Sequence, residues 1–318
     1  MVSAARLTVL GSLNMDISVT VPRLPAPGAT VLGGVAAFSP GGKGANQAVA
    51  AARLGAAVRM VGCVGDDDFG RTLRAALHAD GVDDDGVRAV AGVPTGLAMI
   101  TVDEAGENTI TVAPGANREV GEAEIAAIGD LAADVLVISA EVPVAAIRAA
   151  LSTRGQVLRV LNLAPAPPEA AELVAAGVDW LVVNEPEAAA VLGRPVAGLA
   201  AAARAAADLV KAGARNAVVT AGAAGAAYRG PRDAAGGPDG VLTVPGFRVR
   251  AVDTVGAGDT FAGALAAALA AGVPPRDAVR AAAAAGAAAA TRPGTQAGMP
   301  RPADVLAATG HTWPVPAR

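Results

Sequence analysis

The sequence predicts an α/β fold: a central, mostly parallel sheet flanked by helices on both faces, with a small β-sheet layer beside it. Three patterns predict it. Continuous apolar runs recur at 7–10, 135–139, 157–161, 180–183 and 217–220, as in strands buried on both faces. From Glu122 onward, helical stretches separate these runs, as the crossovers of a parallel sheet require. The segments 17–21, 30–38, 97–102 and 108–112 are half-exposed in pattern; they do not suit a buried sheet and are expected to form the smaller layer.

Taken in order, the strand at 7–10 ends at Gly11, and 17–21 and 30–38 follow as exposed-looking strands. Pro40-Gly41-Gly42 breaks the chain before a helix over about 44–54. A strand at 59–64 leads to a helix over about 69–79. The runs 97–102 and 108–112 alternate around Asp103-Glu104-Ala105-Gly106, which predicts a hairpin. Pro231 to Gly240 reads as a Gly/Pro-rich surface loop without chemical content, and Ala281 to Ala290 as a helix of small side chains. The tail from Thr309, carrying Trp313, is expected to be packed or frayed. The expected organisation is one domain over 1–318, with the β-layer inserted from about 17–39 and 94–113.

Composition narrows the function. Of 318 residues, 53% are hydrophobic and only 2% aromatic, so the core is built from Ala, Val, Leu and Ile. A net charge of −4 with a pI near 5.3 offers no basic face for nucleic acid. The single cysteine, Cys63, lies in a strand-like run and excludes both an internal disulfide and a cysteine-based zinc site. It is expected in the core of a cytoplasmic protein. The mean hydropathy of +0.45 comes from alanine. The longest apolar helix, Thr260 to Val273, stops at Pro274-Pro275, short of the roughly 20 apolar residues a membrane span needs. Met1 to Arg6 lacks the apolar region of a signal peptide, so a soluble protein is expected.

The stretch Val252-Asp253-Thr254-Val255-Gly256-Ala257-Gly258-Asp259-Thr260 joins a short apolar strand to an Ala-rich helix. Unpaired N–H groups and the dipole at a helix N-terminus attract phosphate, and glycines let it approach the backbone. Asp259 puts a carboxylate beside that nest, where it would handle the proton of an attacking hydroxyl. The alternative is an ordinary helix start with Asp259 stabilising the dipole.

A second Gly-rich junction, Gly41-Gly42-Lys43-Gly44-Ala45-Asn46, offers a cation and an amide. It is not a Walker A loop, and neither junction has the dinucleotide fingerprint. Gly11-Ser12-Leu13-Asn14-Met15-Asp16 follows the first buried strand, at the end where open α/β sheets bind ligands. Asn14 and Asp16 point the same way in extended chain and suit vicinal hydroxyls, unless they merely close an Asx turn. Glu141 follows another strand in the same manner. Asn184-Glu185-Pro186-Glu187 starts a helix, and Glu187 would hold water around magnesium. Thr220-Ala221-Gly222-Ala223-Ala224-Gly225 is a small-residue loop fit to pass under a nucleotide.

On these residues the chain resembles the PfkB-type carbohydrate kinases, the ribokinase family. Both Gly-rich junctions match the family's signatures. Gly11 to Asp16, Gly65-Asp66-Asp67, Gly106-Glu107-Asn108 and Asn184 to Glu187 match as well, collinearly over about residues 7–305. The resemblance implies ATP-dependent transfer of the γ-phosphoryl group to the 5-hydroxyl of D-ribose. Asp259 would be the base, and the N–H groups of Gly256, Ala257 and Gly258 the anion hole. Asn14, Asp16, Gly42, Lys43, Asn46, Glu141 and Asp259 would hold the sugar. Asn184 and Thr220 to Gly225, with Gly258 and Asp259, would hold ATP with Mg2+. A potassium site would draw on Asp253, Val255, Ala289, Arg292, Gly294 and Gly298. The chain departs from the family at Ala283, where a polar adenine contact is common, and at Gly298, where a serine is common. The β-layer would be a lid that closes the cleft and pairs in a homodimer.

Other readings differ in what they need. A kinase for deoxyribose, fructose or a nucleoside shares the chemistry, but a nucleoside base wants aromatic partners that this chain lacks. A sugar-binding regulator would not need an intact Asp259, and an NAD-dependent dehydrogenase would need the missing fingerprint.

Overall fold

The structure, a computed structural model, describes residues 5–129, 133–153, 155–231 and 240–314. Its main sheet has nine strands in the order β13-β12-β11-β10-β9-β8-β1-β4-β5. The buried runs form its parallel part: β1 (Arg6–Leu10), β4 (Ala57–Gly65), β8 (Val135–Ser139), β9 (Leu158–Asn162), β10 (Val178–Asn184) and β11 (Ala214–Thr220). Alternate residues of each strand enter opposite layers. Val9, Val135 and Val137 join one apolar cluster, while Leu10, Leu136 and Ile138 join the other, as a sheet covered on both faces requires.

The first layer holds α1 (Lys43–Arg53), α2 (Asp68–Ala79), α8 (Ala257–Ala270), α9 (Pro275–Ala289) and α11 (Pro302–Thr309). The second holds α4 (Val144–Leu151), α5 (Ala170–Ala175), α6 (Glu185–Leu192) and α7 (Leu199–Ala212). Small side chains set the spacing of α1 and α8. A Cβ on Gly263 would lie 2.4 Å from Gln47 O and 3.0 Å from Ala50 Cβ, so the two axes come closer than larger residues permit. This close approach carries residues 46 and 47 to within reach of 259.

The remaining expected strands form a separate sheet in the order β3-β2-β6-β7. Its members are β2 (Asn14–Val21), β3 (Ala37–Gly41), β6 (Gly96–Asp103) and β7 (Asn108–Ala113). The hairpin of β6 and β7 is antiparallel as expected, whereas β2 and β6 run parallel. Because β2 begins at Asn14, the side chains of Asn14 and Asp16 stand on this sheet where it leaves the main one.

The expected strand over 30–38 is corrected: only Ala37–Gly41 pairs with β2. Apart from the half-buried Val31, residues 30–36 are exposed; the stretch is irregular and tied back chiefly by the bond from Gly34 N to Thr20 O at 2.8 Å. The two adjacent glycines and the nearby prolines explain why the pattern does not become a ladder. The break placed at Pro40-Gly41-Gly42 falls later, since Pro40 and Gly41 still pair with Met15 and Asn14.

Strands β5 (Asp83–Val90), β12 (Gly225–Arg229) and β13 (Val241–Pro245) lie at the two edges of the main sheet and escape the apolar-run criterion. β5 is acidic at its start, and β12 and β13 are short antiparallel additions. The loop expected over 231–240 lies almost wholly outside the described residues. Cys63 is buried, as expected, and burial pushes its thiol up to about 12. Trp313 is packed, its Nε1–H donating to Leu54 O at 2.9 Å. Among the described residues no helix is long and apolar enough to cross a membrane.

Candidate active site

The N-terminus of α8 and the N-terminus of α1 face each other across the strand ends. Gly256 caps α8 with φ 78°, and Gly42 precedes α1 with φ 89°; both conformations favour glycine. At α8 the Ala257 N–H turns back to Thr254 O at 3.2 Å. Among the described residues the N–H groups of Gly256 and Gly258 have no such partner, so two of the three expected donors remain for an anion. No atom outside the adjoining chain lies within 4 Å of a Cβ position on Gly258, which therefore opens onto a cleft.

Asp259 is only 7% exposed. Asn46 Nδ2 donates to its Oδ2 at 2.8 Å, and Gln47 Nε2 to its Oδ1 at 3.3 Å. Each amide is itself oriented by another. Gln296 Nε2 donates to Asn46 Oδ1 at 3.1 Å, while Gln47 Nε2 also donates to Asn162 Oδ1 at 2.8 Å. Asn162 Nδ2 in turn donates to Val182 O at 3.2 Å. A carboxylate fed only by donors is held as an acceptor.

Lys43 begins α1 beside this carboxylate. The charge of Asp259 holds its ammonium above the usual lysine range against burial, with Glu141, Glu187 and Asp16 adding to the effect. Asp16 behaves oppositely. Burial, then the negative charges of Glu141 and Asp259, push its carboxyl up to about 7, while Lys43 opposes the rise. Glu141 Oε2 accepts from Ser12 Oγ at 2.6 Å and from Lys43 N at 3.3 Å, so it clamps β1's end to the start of α1. Asn14 Oδ1 accepts from Asn117 Nδ2 at 2.8 Å.

Two cavities meet at Asn184, Thr220 and Gly258. The smaller, about 120 Å³, is lined by Lys43, Glu187, Gly256 and Asp259, with Asn162 among its walls. The larger, about 570 Å³, runs between the Thr220 loop, residues 246–249 and the face of α9. Of the loop's residues, Thr220, Gly222, Ala223 and Gly225 line it. Ala221 and Ala224 do not; Ala221 is buried, and its N–H bonds Gly225 O at 2.8 Å. Ala283 does line this cavity, presenting a methyl group to it.

Asn184 and Glu187 form a reciprocal helix cap: Glu187 Oε2 accepts from Asn184 N at 2.8 Å, and Asn184 Oδ1 from Glu187 N at 2.9 Å. Burial raises the Glu187 carboxyl above its ordinary range. Asn14, Asp16, Gly42, Asn46 and Glu141 do not line the smaller cavity. Asn46 reaches the site through its bond to Asp259, Asp16 and Glu141 through their charges beside Lys43, and Gly42 as the residue preceding it; the Asn14 side chain bonds only Asn117 among the described residues.

Behind α8, Asp253 Oδ1 accepts from Val255 N at 3.0 Å and Oδ2 from Gly294 N at 2.9 Å. A Cβ on Gly298 would lie 3.1 Å from Arg292 O and 3.5 Å from both Ala289 O and Pro293 O. Arg292 offers its carbonyl here, since its guanidinium pairs with Asp304 at 2.9 Å.

Not expected from the sequence are Gln47, Asn162 and Gln296, which carry the amide network around Asp259, and Asn117, which bonds Leu13 and Asn14. Nor are Phe247 and Arg248, which line the larger cavity. Gln47 directly follows Asn46 in the motif and was the one with a visible signal.

The model of the pfkB family carbohydrate kinases matches residues 4–302. The chain is 38% identical over 307 residues to the ribokinase of Schizosaccharomyces pombe, covering 92% of this chain and 94% of that protein. It is 36% identical over 311 residues to the ribokinase of Haemophilus influenzae, covering 96% and 98%. Among solved structures, Arabidopsis thaliana ribokinase complexed with ribose and ATP superposes with a TM-score of 0.81 at 30% identity. That match covers 96% of this chain and 98% of the other. With its family model spanning nearly the whole sequence and such relatives end to end, the chain belongs to the pfkB family of carbohydrate kinases.

Proposed function

We infer that this protein transfers the γ-phosphoryl group of ATP to the 5-hydroxyl of D-ribose. The observation that carries this reading is the meeting of the two cavities at Gly258, with Asp259 and Lys43 in the smaller one. A nucleotide in the larger cavity directs its terminal phosphate toward α8's N-terminus. A bond forms between the sugar oxygen and phosphorus while the bond to the leaving diphosphate breaks. The hydroxyl proton passes to Asp259. Such transfer needs positioning and charge stabilisation more than covalent help, which the free N–H groups of Gly256 and Gly258 and the ammonium of Lys43 supply. Asn14, Asp16, Gly42, Asn46 and Glu141 hold the sugar. Asn184 and the loop from Thr220 to Gly225 hold ATP.

Among the described residues no three His, Cys, Asp or Glu side chains cluster to hold a metal. Glu187, in the smaller cavity, suits a magnesium ion carried mainly by phosphate and water; when bound, it neutralises phosphate charge. The carbonyls of Ala289 and Arg292 around Gly298, with Asp253, Val255 and Gly294, suit a potassium ion. That ion would brace the turn that shapes the anion hole.

The second sheet acts as a lid over the sugar, as an insertion in a single domain. Its exposed Ile110 and Val112, neighbours on one face of β7, support pairing of two lids in a homodimer. The lone buried Cys63 supports a reducing, cytoplasmic setting.

Sugar-dependent ADP release tests the reading across ribose, deoxyribose and fructose, with potassium or sodium present. Ribose should give the highest kcat/KM. Preference for deoxyribose would move the substrate, and absence of sugar-dependent release would favour a non-catalytic regulator.

A further inference from the structure

We propose that Asn117 is a positioning residue that fixes Asn14 as a hydrogen-bond donor toward the sugar, making one substrate hydroxyl an obligatory acceptor. This rests on the reading of Asn14 as a sugar contact. Asn117 lies in the short 3₁₀ turn Gly115–Glu119, where the chain returns from the second sheet, and it is only 2% exposed.

Its own orientation is set by the backbone. Leu13 N–H donates to Asn117 Oδ1 at 2.9 Å, and an N–H can only donate, so the oxygen must face that way. Asn117 Nδ2 is thereby directed to Leu13 O at 3.1 Å and to Asn14 Oδ1 at 2.8 Å. The oxygen of the Asn14 amide is thus already engaged. Its Nδ2 bonds no acceptor among the described residues and is left as the working end.

Strand pairing makes room for this arrangement. Asn14 is in register with Gly96, where a Cβ would lie 2.2 Å from Asn14 Oδ1 and 2.4 Å from Asn117 Nδ2. Any side chain at 96 would push the two amides apart. Two residues along β2, on the same face, Asp16 in its ionised form can only accept. The pair therefore has opposite polarity: Asn14 gives a hydrogen bond and Asp16 takes one. A hydroxyl facing Asn14 is used through its lone pair, and fluorine, which accepts but cannot donate, would serve there as well.

The test compares wild type with Asn117→Asp and Asn117→Ala. It measures kcat and KM for ribose, for ATP and for riboses carrying fluorine in place of one hydroxyl, with melting temperatures alongside. In Asn117→Asp the introduced carboxylate still accepts from Leu13 N but no longer donates, so the Asn14 amide turns over and presents its oxygen to the sugar. Wild type should use one of the fluorinated sugars. Asn117→Asp should raise the ribose KM about tenfold to a hundredfold, the scale of a mismatched buried hydrogen bond. It should leave the ATP KM unchanged and lose the fluorinated sugar disproportionately. Asn117→Ala should raise the ribose KM less and blur the discrimination; it decides the matter if Asn117→Asp does not fold. Folded variants with wild-type ribose KM and an unchanged fluoro-to-hydroxyl ratio would overturn the proposal alone. A wild-type protein without ribose turnover would overturn the functional reading and this proposal with it.

Discussion

Asn46 Nδ2 lies 2.8 Å from Asp259 Oδ2, joining the first turns of two helices through residues 213 positions apart in sequence. The contact exists because Gly263 lets α8 settle on α1, and it is directional because Gln296 occupies the oxygen of the Asn46 amide. Asp259, the proposed base, is thus held by the same motif that is proposed to bind the sugar.

Removing the neighbouring amide should show this directly. Gln47→Leu deletes the bond to Asp259 Oδ1 and leaves Asn162 Oδ1 without its donor. Stability should fall by about 1–3 kcal/mol, the usual result of stranding a buried polar group. Steady-state kinetics should show kcat reduced about tenfold or more on that same scale, with the KM for ATP nearly unchanged.

The helix contact itself is open to a small substitution. In Gly263→Ala the new methyl would meet Gln47 O at 2.4 Å. Overpacking of this kind costs about 1–3 kcal/mol, read as a lower midpoint in urea. The shift of α8 away from α1 should also reduce kcat in the folded protein.

Acidity should act through Asp16. Its carboxyl is raised from 3.8 to about 7, chiefly by burial, so the folded chain binds a proton more tightly than the unfolded one. The stability linked to that proton is complete below the unfolded value and is lost as pH rises through the folded one. Asp16→Asn, neutral throughout, should therefore gain melting temperature over wild type as pH rises from about 4 to 7, and hold the gain above that. The wild-type KM for ribose should rise as pH falls below about 7, where Asp16 ceases to be a pure acceptor. The variant, weaker at every pH, should lack that dependence.

A monovalent cation should matter through the Asp253 turn. Asp253→Ala removes both bonds that tie Val255 and Gly294 together. Stimulation by potassium over sodium, measured as kcat at fixed ionic strength, should be lost in this variant. Equal rates of wild type in the two salts would remove the potassium assignment.

Much of this site was legible in the sequence because glycine leaves a mark. Gly256, Gly258, Gly41 and Gly42 flag the helix starts, and Asp259 and Lys43 stand beside them. The buried strands were visible in their continuous apolar runs. Gln47, Asn162, Gln296 and Asn117 were not legible as a group, since each is an ordinary polar residue whose role arises only when distant segments meet. The edge strands β5, β12 and β13 carry too little buried apolar surface to announce themselves. The strand expected at 30–38 fails over 30–36 because that segment is interrupted by two adjacent glycines and has little to pair against.

The central claim is that Asp259 takes the proton of the sugar hydroxyl during phosphoryl transfer. Sugar-dependent ADP release by Asp259→Asn, with ATP affinity measured in parallel, tests it most directly. Turnover should fall by more than about a hundredfold, the scale of a lost general base, while ATP binding changes little. Near-normal turnover in a variant that binds ATP normally would contradict the assignment.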